Sequence, residues 1–149
     1  MQPSETCIEL VKHFEGFRSV AYICPAGIPT IGYGHTKGVT HSDVGIKFIT
    51  EDTADQMLAD DLAGFAVQVG DMVSVELSQN QFDALCSFVF NLGAGALQKS
   101  TLLENLNAGE YDAVPNQLMR WTHADGEELP GLVARRTAEA KLWSTGDWQ

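Results

Sequence analysis

A change in hydrophobic periodicity near residue 50 constrains the fold of this chain more than any other feature. Between residues 20 and 35, small and apolar residues alternate in "SVAYIC" and "PTIGYGH", on either side of the turn "PAG". This pattern predicts two short strands. From Thr50 to the end, apolar residues recur at helical spacing, with helix-start signals at Thr50 and at Ser78-x-x-Gln81. The chain therefore combines a small β region with a larger helical region.

A first helix is predicted before the strands, over "SETCIELVKHFEG", with Ser4 as its N-cap and Gly16 just beyond its end. The segment "TKGVTHSDVGIKF" is interpreted as a hairpin or a loop. We expect one domain over residues 1–149, with the first helix and a β-hairpin lobe in about 1–49 and a helical lobe in about 50–149. The predicted fold class is α+β, and a cleft between the lobes is the natural place for a site.

Composition and charge exclude several classes of protein. With 149 residues, 44% hydrophobic and 19% charged, the chain is typical of a soluble globular domain. We expect no transmembrane helix and no secretory signal, because "MQPSETCIEL" lacks a basic flank and an apolar block. The formal net charge of -11 argues against binding to nucleic acid or to an anionic membrane and favours a neutral substrate.

The three cysteines and four histidines do not form a metal-binding or disulfide pattern. The cysteines, at positions 7, 24 and 86, match no zinc spacing, so no metal and no cofactor are expected. Cys86 is predicted to be a core residue and Cys7 to be packed near the first helix. Oxidative capture of Cys24 by Cys7 is a minor alternative. Cys24 stands apart, because it lies in a Pro/Gly-rich turn.

Glu15 is a candidate general acid because of its expected place at the end of the first helix. The C-terminal end of a helix carries partial negative charge, so a partly desolvated carboxyl group there should hold its proton longer. Such a group suits general acid catalysis near neutral pH. The alternative is an exposed glutamate without a special role, and a nearby arginine would act in the opposite direction.

The spacing Glu15-x8-Cys24-x5-Thr30, followed by "IGYGH", resembles the bacteriophage lysozymes of glycoside hydrolase family 24. The resemblance continues in "FDALCSFVFNLGAGALQKSTLLENLNAGEYDAVPNQLMRW" and "GLVARRTAEAKLW", and so covers nearly the whole chain. It implies a two-lobed lysozyme-like fold and a muramidase that cleaves peptidoglycan between N-acetylmuramic acid and N-acetylglucosamine.

The same resemblance implies roles for individual residues. Glu15 resembles the acid that protonates the glycosidic oxygen, and Thr30 resembles the hydroxyl that helps to place the attacking water. Arg135 resembles the arginine that holds the catalytic glutamate, although the neighbouring Arg136 is an alternative. His35 resembles the histidine that ends the second strand and is interpreted as a supporting residue.

Cys24 stands where many members of that family have aspartate, although some members use cysteine. A thiolate can accept a proton from water or attack the anomeric carbon, and both roles stay open. The alternative is a loop residue with cleavage lost. Two rival functions follow: a Cys-dependent amidase or peptidase using Cys24 and His35, and a lysozyme-like module that binds glycan without turnover.

The resemblance also implies partners and a location. The expected partner is the peptidoglycan glycan strand, with a holin for release, and the protein is expected to act as a monomer. Synthesis in the host cytoplasm and action on the cell wall or periplasm after release are expected.

Overall fold

The computed structural model describes residues 1–149 and contains seven α-helices and two small antiparallel sheets. Short 3-10 helices lie at His41–Asp43 and Tyr111–Ala113. The main elements, in chain order, are α1 (Glu5–Glu15), β1 (Arg18–Ile23), β2 (Pro29–Gly32), α2 (Glu51–Met72), α3 (Gln79–Leu92), α4 (Ala94–Gln98), α5 (Thr101–Asn107), α6 (Val114–Leu118), β3 (His123–Ala124), β4 (Glu127–Glu128) and α7 (Pro130–Thr145).

The β region is a hairpin whose free edge is covered by a later segment. β1 and β2 pair antiparallel, with an irregularity in the pairing between Arg18 and Tyr22. On the other edge of β1, the Ala21 amide donates to Lys47 O and the Ile49 amide donates to Ser19 O, both at 2.9 Å. The segment left open as a hairpin or a loop therefore holds a 3-10 helix and then an edge segment along β1.

The core of the molecule is built around α3. Every residue from Phe82 to Val89 is buried, and a helix that is buried on all sides must be covered by neighbours in every direction. α3 packs against α1, α2 and α7. The core also includes Tyr33 from the loop after β2, so the β hairpin is joined to the helices through shared apolar packing.

Local signals predicted the starts of the two longest central helices correctly. The Thr50 hydroxyl accepts a hydrogen bond from the Thr53 amide at the start of α2. Ser78 and Gln81 form the predicted capping box at the start of α3. Ser4 occupies the N-cap position of α1, but its side chain does not cap the helix. Instead, its hydroxyl and its amide both donate to the carboxylate of Asp83 on α3.

The expectation of helix from Thr50 to the end is wrong between α6 and α7, where β3 and β4 form a second hairpin. Asp125 and Gly126 have positive φ values of 52° and 80°. Two positive values in a row are typical of the two-residue turn that favours Asp-Gly. The dipeptide was the available signal, but strands of two residues are too short to show alternation.

The division of the chain near residue 49 stays a prediction, as does a single domain over 1–149. α1 packs against α3 and α7, so the first helix lies with the later helices rather than with the hairpin. None of the helices combines the length and the apolar character needed to cross a membrane.

Candidate active site

Glu15 is the last residue of α1 and faces the last helix of the chain. Gly16 follows with φ 71°, which turns the backbone towards β1. Arg135 Nη1 on α7 donates to Glu15 Oε2 at 2.6 Å, across 120 residues of sequence. The Glu15 side chain keeps 21% of its surface exposed while that of Arg135 keeps 4%. The carboxyl group of Glu15 therefore contacts a buried guanidinium on one side and solvent on the other.

The two adjacent arginines of α7 face different partners. Arg135 contacts Glu15, whereas Arg136 donates through Nε to Trp121 O at 3.0 Å and also pairs with Glu139. Of the two alternatives, Arg135 is the arginine in contact with Glu15. The nearby arginine that the helix-end argument left open is therefore present, at 2.6 Å from Glu15 Oε2.

Gly34 brings the backbone after β2 directly against Glu15. A Cβ atom at position 34 would lie 2.6 Å from Glu15 Oε1, which no side chain can occupy without displacing the carboxyl group. The φ of Gly34 is also positive, at 70°. The glycine therefore permits both the turn and the close approach between the hairpin and the end of α1.

Cys24 follows β1 in a tight loop that surrounds its sulfur with backbone amides. The loop is closed by the Cys24 amide donating to Ile28 O at 3.0 Å and the Gly27 amide donating to Cys24 O at 2.8 Å. The Ile28 backbone foremost, with those of Ala26 and Gly27, lowers the pKa of the Cys24 thiol against a weaker opposing effect of burial. The thiol is free and partly exposed, so the loop favours an accessible thiolate.

Thr30 lies on β2 with 3% of its surface exposed, and its hydroxyl donates to Ile28 O at 2.8 Å. A hydroxyl has one hydrogen, and the short bond to Ile28 O assigns it to the backbone. The remaining lone pairs of Thr30 are then hydrogen-bond acceptors, which suits a water molecule better than a thiolate.

His35 is engaged on both ring nitrogens. Nδ1 lies 2.7 Å from Asp61 Oδ2 on α2, and Nε2 lies 2.8 Å from Lys37 O. Neither nitrogen is directed at Cys24. His35 thus joins the loop after β2 to α2 and does not pair with Cys24.

Three residues near these groups were missed from the sequence. The first is Tyr22, whose pKa is raised by burial. The Arg18 guanidinium, 4.1 Å from the centre of the Tyr22 ring, opposes this effect, and the negative charges of Glu15 and Cys24 add to it. Tyr22 therefore lies within electrostatic reach of both groups. The other two, Ser87 and Glu139, lie behind Arg135. The spacing of four between Arg135 and Glu139 on one helix was the available signal.

Two open pockets adjoin at the contact between Glu15 and Gly34. One, of about 400 Å³, is lined by Glu15 and Arg135, and the other, of about 510 Å³, runs from Gly34 to Asp61 and neighbouring residues of α2. Nowhere do three His, Cys, Asp or Glu side chains gather into a group that would hold a metal ion. Glu15 lines one of these pockets, whereas Cys24 and Thr30 line neither of them.

Comparison with known protein families identifies the family of this chain. A family model described as phage lysozyme matches residues 12–139. The chain belongs to the phage lysozyme family. An endolysin of Acyrthosiphon pisum secondary endosymbiont phage 1 is 42% identical to this phage lysozyme over 149 residues, covering 97% of this chain and 99% of the relative.

Solved structures agree with this assignment and with the predicted lysozyme-like α+β fold. The endolysin from Escherichia coli O157:H7 phage FAHEc1 is 35% identical, with a TM-score of 0.86 over 98% of this chain and 95% of the other. The muramidase domain of SpmX from Asticaccaulis excentricus is 36% identical, with a TM-score of 0.87 over 97% and 98% of the two chains. The resemblance to bacteriophage lysozymes that the sequence indicated is therefore confirmed.

Proposed function

We propose that this phage lysozyme hydrolyses the β-1,4 bond between N-acetylmuramic acid and N-acetylglucosamine in peptidoglycan, with Glu15 as the proton donor. The observation that supports this role most directly is the 2.6 Å ion pair that holds Glu15 at the edge of a pocket. A general acid must reach the glycosidic oxygen in a fixed orientation. Arg135 is the residue that orients it, since its own side chain is buried and cannot turn away.

On the opposite side of the sugar, the proposal assigns water placement to Cys24 and Thr30. The amides around the sulfur favour the thiolate, which can take a proton from water. Thr30 presents acceptor lone pairs because its hydrogen is bound to Ile28 O. Attack of the thiolate on the anomeric carbon is the second route and would give a covalent glycosyl-enzyme.

The product anomer separates the two routes. Water activation by Cys24 inverts the anomeric centre, whereas sulfur attack followed by hydrolysis retains it. NMR of the fresh product from a defined glycan oligomer measures this directly. We favour inversion, because Thr30 is oriented to accept a hydrogen bond from water.

The decisive experiment is the substitution Glu15→Gln, read as clearing of outer-membrane-permeabilised cells. The amide keeps the size of the side chain but supplies no acidic proton, so we expect a loss of about 10²–10⁴-fold or more in lysis rate. Circular dichroism would report whether the fold is intact. Substantial lysis by a folded Glu15→Gln protein would overturn the muramidase mechanism.

Neither rival function gains support from the site. A Cys-dependent amidase needs a base at Cys24, and both nitrogens of His35 are already bound to oxygens. A module that only binds glycan has no use for an oriented acid beside a thiolate. Dependence of lysis on Glu15 distinguishes the glycosidase from both.

The proposal extends to the route by which the protein reaches its substrate. Drawing on the family resemblance, we place synthesis in the host cytoplasm and release to the cell wall through a holin, with the monomer as the active form and no nucleic acid partner. Expression in a bacterial host with and without a holin tests this. Lysis that needs the holin is the expected result, and equal lysis without it would contradict the route.

A further inference from the structure

A fully buried carboxylate, Glu139, lies behind the site without an assigned task. It is 0% exposed and belongs to α7, one turn after Arg135. Ser87 Oγ donates to its Oε2 at 2.6 Å, and Arg136 Nη1 donates to its Oε1. Arg135 Nε lies 3.5 Å from Oε2. Burying an ionised carboxylate costs free energy unless a positive charge and hydrogen bonds compensate it.

Two buried guanidinium groups need that charge. Arg135 is 3% exposed and Arg136 is 0% exposed, and they are adjacent in sequence. Burial lowers the pKa of Arg136, and Glu139 opposes this effect through its charge and its hydrogen bond. With Glu15 and Glu139 both ionised, two positive and two negative charges balance. Without Glu139, Arg136 would have no carboxylate partner and Arg135 would keep only Glu15.

This balance matters because the proposed reaction needs Glu15 in its protonated form. A protonated Glu15 leaves Arg135 without its carboxylate partner, and only Glu139 then compensates the two guanidiniums. We propose that Glu139 is a positioning residue that holds Arg135 and supplies this counter-charge, so that Glu15 can carry its proton at neutral pH. The inference rests on the proposed role of Glu15 as the general acid.

The other charged groups around Glu15 do not change in the test. On β1, Tyr22 lies within electrostatic reach of Glu15, and Arg18 lies over its ring. On α1, Lys12 is paired with Asp55 at 2.7 Å. Three other titratable groups are unchanged in every variant. His35 is paired with Asp61, and Cys7 is buried, which raises its pKa. Cys24 lies in the loop after β1, where backbone amides lower its pKa.

The test is the pH dependence of lysis for charge variants of the network. Glu139→Gln removes the buried carboxylate that compensates Arg135 and Arg136, so the alkaline limb of the profile should move to lower pH by about one unit. Arg136→Met removes a positive charge and should move the same limb to higher pH. The double variant removes one charge of each sign and should return the limb close to its wild-type position.

Asp83→Asn is the matched control. Asp83 is also a buried carboxylate, 1% exposed, and accepts bonds from Ser4 and Gln79. It contacts the opposite end of α1 from Glu15, about 16 Å away for 11 helical residues. We expect Asp83→Asn to lower stability without moving the pH limb, because no charge near Glu15 changes.

Opposite shifts in the two single variants support the inference, because a structural defect cannot reverse sign. The inference would be overturned if Glu139→Gln and Arg136→Met lowered stability, as Asp83→Asn does, but left the alkaline limb of the pH profile at its wild-type position. If Glu139→Gln does not fold, the direction of the shift in Arg136→Met decides. An inactive Glu15→Gln protein alongside unmoved limbs rejects only the role of Glu139, whereas an active one rejects the proposed function itself.

Discussion

At the scale of single residues, Cys24 stands where the resemblance to the family implies a carboxylate in many members. The loop from Cys24 to Ile28 directs backbone amides at the sulfur and lowers its pKa. The same amides would stabilise a carboxylate. The loop is therefore a binding site for a negative side-chain atom rather than a site specific for sulfur.

Replacement of Cys24 tests this interpretation. Cys24→Ala and Cys24→Ser supply no anion at neutral pH and should lose at least about 100-fold in lysis rate. Cys24→Asp should keep activity and extend it further into acid, because aspartate stays ionised down to about pH 4 whereas a thiolate is protonated well above that. A pH profile of turbidity clearing measures both effects. Full activity of a folded Cys24→Ala protein would reduce the cysteine to a loop residue.

Thiol labelling provides an independent check on the same residue. Burial raises the pKa of Cys86 to about 12 and raises that of Cys7, which also donates to Asp83 O. Only Cys24 is accessible, so a thiol reagent should label one group in the native protein and three after unfolding. Loss of activity should follow that single label, and Cys24→Asp should resist. Rapid labelling of all three in the native state would contradict the buried positions.

Gly34 offers a second test at this scale. Gly34→Ala should abolish most lysis, because its Cβ would displace the Glu15 carboxyl group. Gly38→Ala is the matched control, since Gly38 has a similar φ of 76° but nothing within 4 Å of its added Cβ. Both variants carry the backbone strain of a positive φ, and only the first touches the site. Equal loss of activity in both would mean that strain, not displacement, is responsible.

At the scale of elements, α2 connects the hairpin to the helices. In its first half, Asp55 pairs with Lys12 of α1, and Asp61 contacts His35 in the loop after β2. Both distances between the nitrogen and the carboxylate oxygen are 2.7 Å. The start of α2 is fixed by the Thr50 hydroxyl, a local cap that requires no distant contact. The helix that lines the larger pocket therefore begins at a position set by its own sequence.

Removal of this cap should affect stability rather than chemistry. Thr50→Ala should lower the free energy of unfolding by about 1 kcal/mol, because one amide at the helix start loses its partner. Urea denaturation measures the change, and the lysis rate at 25 °C should stay within about twofold of wild type, as a folded site is untouched. A large loss of activity at unchanged stability would show instead that the start of α2 positions the groove.

The elements also show where reasoning from sequence succeeds and where it stops. The start of α3 was predictable because Ser78 and Gln81 are three residues apart and cap each other. The bond from Ser4 to Asp83 was not, because its partner is 79 residues away. Arg135 and Arg136 stayed alternatives because adjacent residues differ by about 100° around a helix and only packing decides which one faces Glu15. In the network through Glu139, the spacing of four to Arg135 was visible in the sequence, but the bond from Ser87, 52 residues away, was not.

At the scale of the whole molecule, the net charge of -11 governs the approach to the cell wall. Anionic wall polymers repel such a protein, and the repulsion is screened over about 10 Å at 0.1 M salt. We expect the lysis rate to rise from very low to moderate ionic strength. Rates measured in a sodium chloride series at constant pH test this, and a monotonic fall with added salt would mean that local basic groups govern the encounter.

The ion pair between Glu15 and Arg135 also joins parts of the chain that are synthesised at different times. The two residues are 120 positions apart, and α7 is the last helix to leave the ribosome. Domains emerge from the N-terminal end at about 5–20 residues per second, so the hairpin and the acid are complete seconds before their partner arises. A nascent chain that lacks α7 thus holds a thiol, a hydroxyl and a carboxyl group, but not the guanidinium that pairs with the carboxyl group.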